Sequence, residues 1–355
     1  MHRKQVRKDV TLLSEMIRRE KVEAKSVTLQ RLNQLIPWET FRPLLERVRK
    51  PSPKGGRPPY DEVFMFKCLI LQELNGYSDE DLEYQILDRL SFQIFLGMNI
   101  ASDVPDHGTI WRFRELLKEQ ELVKPLFDLF YAYLLEQGLI VNKGLIVDAT
   151  LVEAPRQRNT REENNAIKEG KGADEVFPDK STTAQRHKDT DAQWTKKRGE
   201  TFYGYKDHVL TDQDSKLIVN YKVTPANSHD STQLLNLLPP EAEGEQIVYA
   251  DSAYYKEERN QLLEKKGFVV AICKKGRRNH PLTEEEIASN KSISRVRCRI
   301  EHTFADIAHR RGLTVGTIGN ARAEVKIGLM NIAYNMRRLI TLICKKSSPH
   351  AIFEG

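Results

Sequence analysis

The chain is poor in the residues that staple or ligate soft metals. It has four cysteines in 355 residues, Cys68, Cys273, Cys298 and Cys344, and no CxxC pair among them. That spacing excludes a zinc ribbon and a disulfide scaffold and predicts a reduced, cytoplasmic protein. No run approaches the roughly 20 apolar residues of a membrane span, so no membrane partner is expected. The basic start, MHRKQVRKDV, has no apolar stretch behind it and is not read as a secretory signal. Nor is there an internal repeat or a sustained heptad.

What is present is length, charge and alternating character. A chain of 355 residues predicts two or three domains with real cores. The net charge is +6, and it is unevenly spread: residues 291–355 hold 12 Lys+Arg against 4 Asp+Glu, while the remainder holds 44 against 46. A positive C-terminal part fits a partner with phosphates or a solvated helical surface, and charge alone does not separate the two.

Residues 8–49 carry apolar residues at helical spacing and, with the Pro/Gly/basic linker Lys50 to Pro59, form a first unit, 1–59. Residues 60–140 predict a second helical unit. Val63, Phe66, Ile70 and Leu74 recur along one helix that Gly76 ends. Ser78 with Asp81 resembles a capping box, and Asp106 is a candidate N-cap. In the helix after Asp106, Ile110, Phe113 and Leu117 turn inward while Arg112 and Arg114 point elsewhere. This block reads either as a helix-turn-helix-like DNA-binding region or as an ordinary bundle with a polar face.

From 143 the pattern turns to strands, expected at 143–149, 203–211, 216–223, 246–251 and 268–272, followed by helices near 294–311 and 321–343. That order predicts an α/β domain over 141–345 with a mixed five-stranded sheet, and a short tail, 346–355. Residues 156–200 are polar and read as an insertion. Within it Trp194, beside Lys196 and Lys197, either stacks on a base or docks the loop on the core.

Three acids stand out. Asp148 ends the first apolar strand in "KGLIVDATLVEAP", Asp251 ends another in "QIVYADSAYY", and Glu301 lies beside the apolar stripe Val296, Ile300, Phe304 and Ile307. Asp207 and Asp230 are rival carboxylates, read as structural or supporting. A lone buried carboxylate is costly, and three converging ones need cations. Oxygen-only ligands select Mg²⁺ or Mn²⁺, and two such ions serve phosphoryl transfer. Arg297, four residues before Glu301, is placed to hold that carboxylate or to contact phosphate.

The ordered set "IVDATLV", "GYKDHVLTD", "VTPANSHDS", "YADSAYY" and "RCRIEHTF" resembles bacterial insertion-sequence transposases of the DDE type, nearest to the IS-five-like group, over about residues 60–340. The resemblance implies an RNase H-like core with Asp148, Asp251 and Glu301 as the acidic triad, 102 residues separating the first pair and 49 the second. It implies cutting at the element ends and joining of 3′-hydroxyls to target DNA, with Lys274, Lys275, Arg277, Arg278, Arg299, Arg310 and Arg311 on the phosphate backbone. It also implies double-stranded DNA as partner, a homodimer pairing two ends, and a place near the bacterial nucleoid. His302 is read as structural or phosphate-contacting. The family's Tyr-x2-Arg-x3-Glu-x6-Lys pattern is matched at Arg297 and Glu301 but not at Ser294 and Ala308, where Arg310 or Arg311 stands in for the Lys. A non-catalytic, transposase-derived DNA-binding protein is the alternative.

Overall fold

A computed structural model describes residues 12–48, 58–99, 101–197, 199–276 and 280–346. Most of the expected linker, Arg277, Arg278 and most of the expected tail lie outside the described residues. Up to residue 136 the described elements are helices with short 3-10 turns. Their ends follow local chemistry. Asp61 accepts from Phe64 N at 2.9 Å to open helix Glu62–Asn75, Ser78 and Asp81 form a capping box for Asp79–Asp88, and Asp106 accepts from Thr109 N at 2.6 Å to open His107–Glu119. Gly76 closes the first of these at φ 71°; there a Cβ would come within 2.8 Å of Arg311 Cα, so glycine lets the helix end against a neighbouring chain segment. Helix Glu62–Asn75 is apolar on more than the expected stripe: Met65, Cys68, Leu69 and Leu71 are buried with Val63, Phe66 and Ile70. It is a central helix, covered on several sides.

Six strands follow: β1 Gly144–Glu153, β2 Gln193–Lys197, β3 Glu200–Asp212, β4 Ile218–Pro225, β5 Gln246–Ala250 and β6 Phe268–Ile272. They form one mixed sheet in the order β2-β3-β1-β5-β6, with β4 also on β3. β1 runs antiparallel to β3 and parallel to β5, and β5 runs parallel to β6. Gly204 is opposite Glu153 on one side and Gln193 on the other, so β2 and β4 follow one another along the same edge of β3.

The sheet therefore has six strands where the sequence predicts five. The extra one, β2, arises within the polar 156–200 segment, which also folds into helices Arg161–Lys168, Ala173–Val176 and Thr182–Arg186. The first and last of these are capped by Thr160 and Ser181. β2 escapes the apolar-run criterion because it is an edge strand whose Lys196 and Lys197 face solvent.

Two long helices, Glu284–Arg311 and Asn320–Lys346, pack on the sheet, the first against β1 and β5 and the second against β4 and β3. The first begins ten residues before the expected start, at a capping box made by Thr283 and Glu286. The second also packs on helices Glu62–Asn75 and Val123–Glu136. Asn335 pins it to the sheet, accepting from Ile218 N and donating to Ile218 O, both at 2.8 Å.

Candidate active site

β1 carries Asp148 at its middle and not at its end. The strand continues to Glu153 because β3 is long enough to extend the antiparallel ladder that far. The parallel neighbour, β5, is the one that stops. Ile146 lies opposite Tyr249, the last pair of that ladder; Asp251 follows directly after β5 ends at Ala250 and lies near enough to Asp148 for its charge to act on that carboxyl. Each carboxylate accepts one nearby N–H at 2.8 Å, Asp148 from Ala149 and Asp251 from Ala253.

The third element is helix Glu284–Arg311. Arg297 turns to the sheet and stands 3.6 Å from Asp148. It pairs with the strand acid and leaves Glu301 free, where the sequence allowed it to hold Glu301. Burial pushes the Asp148 carboxyl above its ordinary range; the Ala149 N–H and the Arg297 guanidinium oppose the rise, and the Asp251 charge adds to it. Glu301 is exposed, one turn beyond Arg297 and about 6 Å along the axis. No three His, Cys, Asp or Glu side chains among the described residues are grouped closely enough to hold one ion. Asp148 and Asp251 are brought together; Glu301 is brought only to the neighbourhood, through Arg297.

Beside the pair sits Tyr254, three residues after Asp251 and 1% exposed, its hydroxyl without a hydrogen-bond partner. Burial drives its hydroxyl pKa up, and the charges of Asp148, Asp230 and Asp251 act the same way, so it stays a neutral donor. Arg297 Nε is also buried and unpartnered. The two neighbouring, half-buried carboxylates offer the hard oxygen ligands that Mg²⁺ or Mn²⁺ takes, while the unused donors beside them, Tyr254 O–H and Arg297 Nε–H, suit an anionic oxygen. Lys206 reaches Asp230 at 2.7 Å, which places that acid in a structural pair. Tyr254 had no sequence signal beyond its nearness to Asp251.

The cations expected on DNA divide sharply. Arg114 is buried and bidentate on Asp79, at 2.8 and 2.6 Å, with Gln72 at 3.1 Å. Arg311 is buried too, paired with Glu73, which also takes Lys326 at 2.6 Å. Both are structural cations, contrary to the sequence expectation, because tertiary packing supplied acids that helical spacing does not reveal. Trp194 takes the docking role: it lies in β2, half-buried, 4.9 Å from the Tyr203 ring. Arg112 and Lys275 are exposed. Lys274 pairs with Glu286 at 3.1 Å, Arg299 with Asp214 at 3.0 Å and Arg310 with Asp306 at 3.5 Å, all at the surface.

Residues 141–336, which carry the sheet, Asp148, Asp251, Arg297 and Glu301, match the family model described as Transposase DDE domain. Residues 16–116 match one described as Transposase domain (DUF772). Among solved structures, the cryo-EM structure of the piggyBac transposase synaptic complex with hairpin DNA is similar at a TM-score of 0.43 and 12% identity, over 94% of this chain and 76% of that one.

Proposed function

Because the chain belongs to the DDE transposase family, with that domain matched over more than half of its 355 residues, we propose that it cuts DNA at the ends of its own insertion sequence and joins the freed 3′-hydroxyls to target DNA. The observation that carries this reading is the neighbouring pair Asp148 and Asp251 with Arg297 on the first of them. We assign the pair and Glu301 as the acidic triad of an RNase H-like core in the IS-five-like group. The triad would hold Mg²⁺ or Mn²⁺, two ions in all. Ions of this kind supply Lewis-acid stabilisation of the phosphoryl group and a more acidic water.

The residues themselves do the positioning. Arg297 restrains Asp148 and keeps a buried, unpartnered Nε–H beside it. Tyr254 offers a hydroxyl that stays protonated beside the carboxylates. Exposed cations such as Lys275 and Arg112 approach the backbone, and both chemical steps are in-line displacements whose developing charge is met by fixed donors. A homodimer that brings two ends together belongs to this proposal, as do a helical DNA-binding region at 60–140 and residence near the nucleoid.

The test is cleavage of a supercoiled plasmid carrying the gene's own flanks, with Mg²⁺, Mn²⁺ or EDTA, beside Asp251→Ala. Metal-dependent breaks at the element boundary, lost in the variant while flank binding persists, are expected. Flank binding without breaks under any condition would replace this reading with a non-catalytic DNA-binding derivative. Wild-type cutting by Asp251→Ala would remove that residue from the triad.

A further inference from the structure

A second anion site lies away from the acids. A cleft of about 470 Å³ opens between helix Val27–Leu35, the segment around Arg89, and the two long helices. Lys25, Arg89, Arg310 and Arg337 line it, and among the described residues no acidic one does. Lys25 and Arg89 are exposed, and Arg89 lies over the Phe92 ring at 5.2 Å, which holds the guanidinium at the cleft edge. Arg310 and Arg337 share one carboxylate, Asp306, at 3.5 and 2.8 Å, so the pair carries an excess positive charge.

The cleft floor adds a dipole. Helix Val27–Leu35 begins there, and its N-cap Ser26 makes no side-chain cap. The Ser26 hydroxyl is turned back to the Val22 carbonyl instead. Thr28 and the start of that helix line the cleft together with the four cations, an arrangement that favours phosphate. Four cations around an open cleft suit a polyanion whose charges are spread along its length, as they are on duplex DNA.

We propose that this cleft grips the phosphate backbone of duplex DNA, at a contact separate from the acidic pair. The inference rests on the transposase reading above and adds a site to it. Helical phase supports the separation: Arg310 follows Glu301 by nine residues on one helix, about half a turn out of phase and about 14 Å along the axis. The acids and the cleft thus address different stretches of DNA.

The experiment measures binding of the full chain to two fluorescein-labelled duplexes, the gene's own flank and a scrambled duplex of equal length, by anisotropy across a salt series. The wild type is compared with Lys25→Gln/Arg89→Gln, both surface positions, with folding checked by thermal unfolding. The expected result is weaker binding to both duplexes by the same factor, with the slope of log K against log salt reduced by about 1.8, or roughly 0.9 for each lost phosphate contact. An unchanged slope in a folded variant overturns the cleft proposal, as does a loss confined to the flank duplex. Metal-dependent cutting of the flank plasmid by the wild type is scored alongside. If cutting holds and the slope is unmoved, the cleft alone fails; if the wild type binds neither duplex, the transposase reading fails first.

Discussion

Asp207 shows how much a single buried group can govern. It is fully buried in β3 with neither carboxylate oxygen in hydrogen-bond geometry, although the Asn331 amide lies beside it. Burial raises its pKa from the ordinary 3.8 to about 7. Between those values the folded protein holds a proton that the unfolded chain has lost, so stability falls as pH rises through that interval and levels off above it. Asp207→Asn removes this contribution. The expected outcome is that the Tm of the variant, relative to wild type, moves in the variant's favour between pH 5 and pH 8. A difference that stays constant with pH would mean that Asp207 is ionised in the folded state at both pH values. His208, next in the strand, is pushed down to about 4 by burial and donates or accepts at Thr224 Oγ1, 2.8 Å away, so it stays neutral across the same range. From the sequence Asp207 reads as structural or supporting, and its cost is not legible from neighbours in sequence because β1, β4 and the last long helix together bury it.

At the scale of elements, the junction of β1, β2 and β3 depends on one glycine. Gly204 has φ 148°, and a Cβ there would run into the Val152 carbonyl and approach Ala154 N to 2.7 Å. Both obstacles are backbone, so neither can move without breaking the ladder. Gly204→Ala is expected to cost about 1–3 kcal/mol, the range for forced overpacking, measured by urea unfolding, and to raise amide exchange at Gln193–Lys197 more than in β5. Equal exchange in both places would mean that the glycine has no local role. What the sequence reveals at this scale follows from how local each cause is. Caps at Ser78 and Asp106, the turn at Gly76 and the apolar runs of β1, β5 and β6 are written within a few residues and form where expected, and the cap at Asp61, not singled out from the sequence, is equally local. β2 is not legible, because its pairing comes from β3 and its composition from solvent. Arg114 is not legible either: its period marks it as outside the apolar face, yet Asp79 and Gln72 arrive from other helices to bury it. Asp148 and Asp251 are legible as acids at the ends of two apolar runs, but their nearness comes from the parallel pairing of β1 and β5, which no spacing within the chain encodes.

For the molecule as a whole, the last helix decides whether the parts behave as one. The helices before residue 140 and the sheet after it were expected as separate units, yet the buried side chains form one continuous cluster from Leu32 to Ile340. Helix Asn320–Lys346 runs through it. On one side Lys326 reaches Glu73 at 2.6 Å and Arg322 reaches Glu115 at 2.7 Å; on the other, Asn335 holds β4. Removing the sheet with the two long helices would leave Glu73 without Arg311 and Lys326 and would strip the cover of helix Asn320–Lys346 from helix Glu62–Asn75. The full chain is therefore expected to unfold in one transition despite its length. The tryptophans report it: Trp38 and Trp111 lie in the helical part and Trp194 in the sheet. A variant keeping only Trp194 and one lacking it should give coincident urea midpoints, matching the helical circular dichroism signal. Two separated midpoints would show that the helical part and the sheet are held together too weakly to fold as a unit. In that case DNA gripped at the cleft, which spans helix Val27–Leu35 and both long helices, would have to supply the coupling, and saturating duplex should bring the midpoints together.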